Sequence, residues 1–188
     1  VTAHDPAAGP GDEDPTGEFV VDGILRVNDF LHVFDPKPLI DDTVSVTGLL
    51  RFANDDSKIE PRDGNDVQLL TSGPPQLLAL DPAQVFLYEG DLLATTTPPL
   101  YVILDRPAPA PGTDITLTSA DPSTLHAPTT LTIPEGVSQY QISLSGLGVS
   151  SGPVTLQAEL DGTTVSTQVE VLDPNRLPLL TSLQPATS

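Results

Sequence analysis

The chain contains no cysteine, methionine or tryptophan, and 7 of its 188 residues are lysine or arginine. Each scarcity excludes something. Without cysteine there are no disulfides, no thiolate metal sites and no cysteine nucleophile, and the usual compartment argument from disulfides is silent. Seven bases against 26 acids leave a formal net charge of −19 at pH 7. A field of that sign repels phosphate backbones and anionic lipid, so nucleic acid is a disfavoured partner. No stretch approaches the roughly 20 apolar residues of a membrane-spanning helix, and membrane insertion is not expected. Helix formers are scarce beside 21 prolines and 14 glycines, which argues against helices of any length. The first residue is Val1, with no signal-peptide pattern after it, and the chain reads as a processed or shortened piece of something longer.

What is present is alternation. The apolar share is 38%, arranged in blocks of strand period, which separates the chain from disordered acidic sequences. The clearest block runs from Pro153 to Val171. On its first arm Val154, Leu156, Ala158 and Leu160 point one way; on its second, Val165, Val169 and Val171 do, with Thr167 in the fourth inward place. Asp161-Gly162 joins the arms and suits the positive φ angles of a type I′ turn. Similar blocks at 77–80, 85–88, 101–104, 115–118, 130–133 and 140–144 bring the strand count to that of a sandwich, and an all-β fold follows.

Upstream, short strands are expected at 19–21, 24–27, 30–34, 43–52, 58–60 and 67–70, separated by Asp-Pro, Asp-Asp and Asp-Gly turns. Residues 1–17, with Gly9-Pro10-Gly11 and the acidic run Asp12-Glu13-Asp14, read as a loop. The stiff Ser72-Gly73-Pro74-Pro75 step marks a boundary. The expected organisation is a first β-module over 1–72, an immunoglobulin-like sandwich over 76–172, and a linker or tail over 173–188. With few strands and a loop at its start, the first module would lack its opening strand and leave a sheet edge for a neighbouring copy or an upstream segment to complete.

Two stretches carry a family resemblance. Residues 19–31, then Val44-Ser45-Val46-Thr47-Gly48-Leu49-Leu50 and Ile59-Glu60-Pro61-Arg62-Asp63, resemble the OB-like modules of large secreted bacterial proteins, which accompany extracellular nucleases and occur in surface proteins of myxobacterial type. Residues 112–119, 131–137 and the 154–171 hairpin resemble bacterial Ig-like repeats. The resemblance implies an OB-like barrel or meander followed by an Ig-like sandwich, outside the cell or on its surface. It brings no catalytic residue.

The residues themselves supply little chemistry. His4, His32 and His126 are dispersed, without an H-E-x-x-H pattern; His32 alternates with Leu31 and Val33, as on the wetter face of a strand. There is no G-x-S-x-G elbow. Adjacent acids such as Asp41-Asp42, and the six Asp-Pro steps, read as solvated turn formers. One segment fits a metal: Asn54, Asp55, Asp56, Glu60, Asp63, Asn65 and Asp66 place seven oxygen-bearing side chains within thirteen residues. Calcium takes six to eight oxygens from such turns. Asp55, Asp56, Glu60, Asp63 and Asp66 are therefore the calcium candidates, against a default of solvated acidic turns. The spacing is not that of an EF-hand, and Arg62 would oppose a cation unless it points away.

A single-strand groove would need a basic track and exposed aromatics. Residues 1–70 offer Arg26, Lys37, Arg51, Lys58 and Arg62 against fifteen acids, and Phe19, Phe30, Phe34 and Phe52 read as core. The expectation is thus a non-catalytic structural, adhesive or spacer fragment of a larger secreted or cell-surface protein. Its partners would be other domains of that protein or neighbouring copies, with strand exchange as one mode of joining them against the default of an open edge that the sheet tolerates, blunted by acids and prolines, and it needs no cofactor unless calcium binds. The alternative is an accessory module that binds nucleic acid or glycan for an extracellular nuclease.

Overall fold

The computed structural model describes residues 1–176 except Pro10 and Asp12. The chain is all-β and divides into two compact units, Val1–Pro74 and Pro75–Ser188.

The first unit contains β1 (Ala3–His4), β2 (Phe19–Val21), β3 (Leu25–Val27), β4 (Thr43–Val46), β5 (Leu49–Ala53), β6 (Asp56–Glu60), a 3₁₀ turn at Gly64–Asp66 and β7 (Val67–Thr71). Five strands form one sheet in the order β1-β2-β3-β6-β5, and β4 pairs with β7. The pairing of β3 with β6 is parallel, so the sheet is not a simple meander. Its register aligns Val20, Arg26, Lys58 and Arg51 in one row across the strands and Phe19, Val27, Ile59 and Leu50 in the next. Adjacent residues of a strand face opposite ways, so one face of this sheet carries charge and the other is apolar. Phe19 and Val27, on the apolar face, are fully buried with Val1 and Phe34, the two phenyl rings meeting edge to face at 5.2 Å.

Three expectations for this unit are corrected. Residues 1–17 are not all loop: β1 pairs with β2 and Val1 enters the core, so the module supplies this edge strand itself. Residues 30–34 are not a strand. The Asn28 carboxamide accepts the Phe30 N–H at 2.7 Å, and this side-chain turn diverts the backbone before pairing begins. His32 consequently lies in a loop, its ring against Phe34. Residues 43–52 are two strands, broken at Thr47-Gly48 where Gly48 passes so close to the Glu60 carbonyl that no Cβ would fit.

The second unit contains β8 (Leu77–Asp81), β9 (Gln84–Tyr88), β10 (Ala94–Thr95), β11 (Tyr101–Leu104), β12 (Gly112–Ser119), β13 (Leu125–His126), β14 (Thr130–Pro134), β15 (Gln139–Gln141), β16 (Ser143–Gly146), β17 (Val154–Leu160) and β18 (Thr163–Leu172). A five-stranded sheet, β14-β12-β17-β18-β9, shares one core with the sheets β15-β11-β8 and β10-β16-β13. Val85, Ile115, Leu156 and Val169 come from the first sheet, Val102 and Leu144 from the others, and all six are 0% exposed. The β17–β18 hairpin pairs Leu156 with Thr167 and Val154 with Val169, and Asp161 and Gly162 turn it with φ of 49° and 84°. Thr167, 2% exposed, satisfies its hydroxyl by donating to the Pro82 carbonyl at 2.7 Å. The strand expected at 140–144 is interrupted at Ile142, whose N–H turns to the Leu100 carbonyl. Of the expected tail, residues 173–176 form a turn closed by Arg176 N–H on the Asp173 carbonyl; Leu177 onward lies outside the described residues.

Candidate functional site

The charged face of the first unit's sheet holds the densest polar cluster. Lys58, 0% exposed, donates to Glu18 Oε1 at 2.6 Å. The Asn28 Nδ2 donates to the same oxygen at 2.7 Å. The other carboxylate oxygen, Oε2, receives Arg26 at 3.2 Å, and Arg26 also reaches Asp56 at 2.9 Å and the Ala7 carbonyl at 2.9 Å. Three elements hold this arrangement: Glu18 leads into β2, Arg26 and Asn28 lie on and just past β3, and Lys58 is central in β6. A lysine and a glutamate in strand alternation read as wet-face residues, so sequence reasoning missed this burial. The signal that could have found it is Glu18 immediately before the apolar Phe19-Val20-Val21 run.

Beside the cluster is a groove of about 410 Å³ lined by Glu13, Thr16, Asn28, Phe30, Arg51 and Asn54 among others. The Arg51 guanidinium lies 5.0 Å from the centre of the Phe30 ring and bonds Glu60 at 3.2 Å. Phe30 and Phe52 are each 72% exposed. Reading all four phenylalanines as core is therefore corrected for two: Phe30 leaves the core with the turn after Asn28, and Phe52 projects from β5, at the sheet edge.

The five calcium candidates are not brought together. Asp55 sits in the turn between β5 and β6 and Asp56 opens β6, whereas Glu60 closes it, about 13 Å away at the rise of a strand. Asp56, Glu60 and Asp66 each bond an arginine: Arg26, Arg51 and Arg62 respectively. Asp63 caps the 3₁₀ turn by accepting the Asn65 N–H. Among the described residues no group of three or more His, Asp or Glu side chains could hold a metal ion. Arg62 does not point away; its guanidinium and backbone N–H donate to both Asp66 oxygens at 2.8 Å. These bonds, the side-chain ones foremost, lower the Asp66 pKa to about 2. His4 lies in β1, His32 in a loop and His126 in β13, each on a different element.

In the second unit the notable arrangement is a parallel pair of strands. β9 pairs with β18 in parallel, from Gln84 beside Gln168 to Tyr88 beside Leu172. Backbone bonds extend the ladder at both ends: Gln168 N–H to the Ala83 carbonyl at 3.0 Å, and Glu89 N–H to the Leu172 carbonyl at 2.9 Å.

No family model matches the chain, and no curated protein matches it. Among solved structures it is similar to domains 4 and 5 of the S-layer protein SbsC, with 17% identity over 61% of this chain and 69% of that chain, at a TM-score of 0.38. A likeness of that degree carries no argument about family or function.

Proposed function

We propose that the chain is a non-catalytic, load-bearing structural or adhesive segment of a larger secreted or cell-surface protein. The observation that carries this reading is the parallel pairing of β9 and β18. Tension that enters at the start of the second unit meets β8 first; once β8 has parted from β11, it pulls β9 from its N-terminal end and β18 from its C-terminal end. Parallel strands pulled that way slide past each other, so the bonds of the ladder are strained together rather than one after another. An antiparallel terminal pair would open like a zipper. The exposed Leu50 and Phe52 on edge strand β5 support contact with other domains or neighbouring copies.

Single-molecule pulling tests the reading, and the absence of native cysteine makes introduced thiol handles unique. Handles at Ala83→Cys and Asn175→Cys, at the N-terminal end of β9 and the C-terminal end of β18, load the ladder in shear. Handles at Glu89→Cys and Asn175→Cys pull the same strands from one end. The expected outcome is a several-fold higher rupture force in the first geometry; equal forces would remove the load-bearing reading.

A second reading, an accessory module that binds glycan or nucleic acid, is favoured by Phe30 standing exposed at the rim of the polar groove. Loss of retention on an immobilised polysaccharide in the Phe30→Ala chain would support it.

A further inference from the structure

We propose that Lys58 and Asn28 form an intramolecular amide crosslink, with Glu18 as the proton carrier. The inference goes beyond the load-bearing reading and does not depend on it, since it concerns the first unit. Three groups needed for such a reaction converge. The nucleophile is Lys58 Nζ, on a side chain 0% exposed. The electrophile is the Asn28 carboxamide carbon. Glu18 Oε1 accepts both from Nζ, at 2.6 Å, and from the nitrogen that would leave, Asn28 Nδ2, at 2.7 Å. A fourth group meets the charge that develops: the Phe30 N–H donates to Asn28 Oδ1 at 2.7 Å, where the carbonyl oxygen becomes an oxyanion when nitrogen adds to carbon. A preplaced backbone donor at that oxygen is the standard means of lowering such a barrier.

The reaction balances without a co-reactant. Glu18 removes a proton from the Lys58 ammonium, and the freed Nζ lone pair forms a bond to Asn28 Cγ. The Cγ–Nδ2 bond then breaks. In total Nζ gives up two protons, Nδ2 gains both and departs as ammonium, and Glu18 ends ionised as it began. The side chains remain joined by a secondary amide.

Burial favours the first proton transfer. A fully desolvated ammonium–carboxylate pair is costly in both its charges, and transfer to a neutral amine and acid relieves them together. The Arg26 guanidinium on Glu18 Oε2 is shared with Asp56. Placement replaces activation: reactants held on one carboxylate oxygen gain the advantage of high effective concentration. The new bond would tie the chain just past β3 to the centre of β6, the parallel neighbours that no short turn joins.

Mass spectrometry of the folded, purified chain decides the matter. The expected intact mass is lower than that calculated from the sequence by one ammonia. Tryptic digestion should give a branched peptide in which the Lys58 and Asn28 segments are joined, with no cleavage after Lys58. Asn28 precedes Asp29, and cyclisation of an asparagine on its own backbone also expels ammonia. Lys58→Arg separates the two, because it keeps a cation on Glu18 and abolishes the amide but not the cyclisation. Glu18→Gln should leave the full calculated mass even where circular dichroism shows the β-fold retained. A folded wild-type chain that keeps its calculated mass after several days at neutral pH overturns the proposal, as does an ammonia loss that persists in Lys58→Arg.

Discussion

Arg62 and Asp66 set the clearest pH dependence of any single contact. Asp66 titrates near 2 in the folded chain against about 3.9 for a free aspartate. The folded state therefore binds its proton less readily than the unfolded state. The resulting stability is present above about pH 4 and is lost as pH falls through the folded value. Asp66→Asn should lower the melting temperature at pH 7, with the difference from wild type shrinking below pH 4 and closing near pH 2. A difference independent of pH would place the effect elsewhere. The same guanidinium bears on calcium. The acids of residues 55–66 cluster in sequence, which made the metal legible as an expectation. In space Asp56, Glu60 and Asp66 are held apart by Arg26, Arg51 and Arg62, whose side chains a one-dimensional reading cannot place. Millimolar Ca²⁺ is expected to shift the melting temperature no more than equal Mg²⁺, because a cation would first have to displace those arginines. A calcium-specific rise would restore the metal site through mass action.

Elements of seven or more residues were legible because their alternation had room to repeat. β12 and the β17–β18 hairpin bury every second side chain over much of their length, and Asp161-Gly162 supplies the turn that this register demands. The two-residue strands β1, β10 and β13 carry no period at all. They exist because tertiary partners wait beside them: β10 and β13 both pair with β16. Residues 30–34 erred the other way, alternating without pairing, since the Asn28–Phe30 turn decides locally what pattern alone could not. Close approach is similarly invisible in sequence. Gly146, the last residue of β16, sits against the Tyr88 carbonyl, and a Cβ there would collide with that backbone oxygen and press on Val171. Neither β9 nor β18 can yield without loosening the parallel ladder. Gly146→Ala should therefore cost about 1–3 kcal/mol, the usual range for overpacking, measured by urea unfolding. Gly152→Ala, with nothing within 4 Å of its Cβ position, serves as the control and should be nearly neutral.

Charge is a property of the whole chain, and its net −19 acts on folding and association together. Like charges repel more when the chain is compact, so the folded state bears the larger electrostatic cost, and added salt relieves it by shortening the Debye length to about 8 Å at physiological ionic strength. The melting temperature should accordingly rise between low and physiological salt. The same field bears on the accessory reading. Affinity for a nucleic-acid strand comes chiefly from lysine and arginine releasing phosphate counterions. Here Arg26, Lys58, Arg51 and Arg62, four of the five basic side chains in residues 1–70, already bond carboxylates of their own unit, and the fifth, Lys37, bonds Asp5. A phosphate would have to compete with each of those carboxylates as well as with the net field. Exposed Phe30 and Phe52 provide stacking surfaces but no compensating charge. Fluorescence anisotropy with labelled single-stranded DNA at physiological salt should therefore show no binding at micromolar chain. Micromolar affinity that weakens as salt rises would mean that these ion pairs open to phosphate, and would favour the accessory module over the load-bearing one.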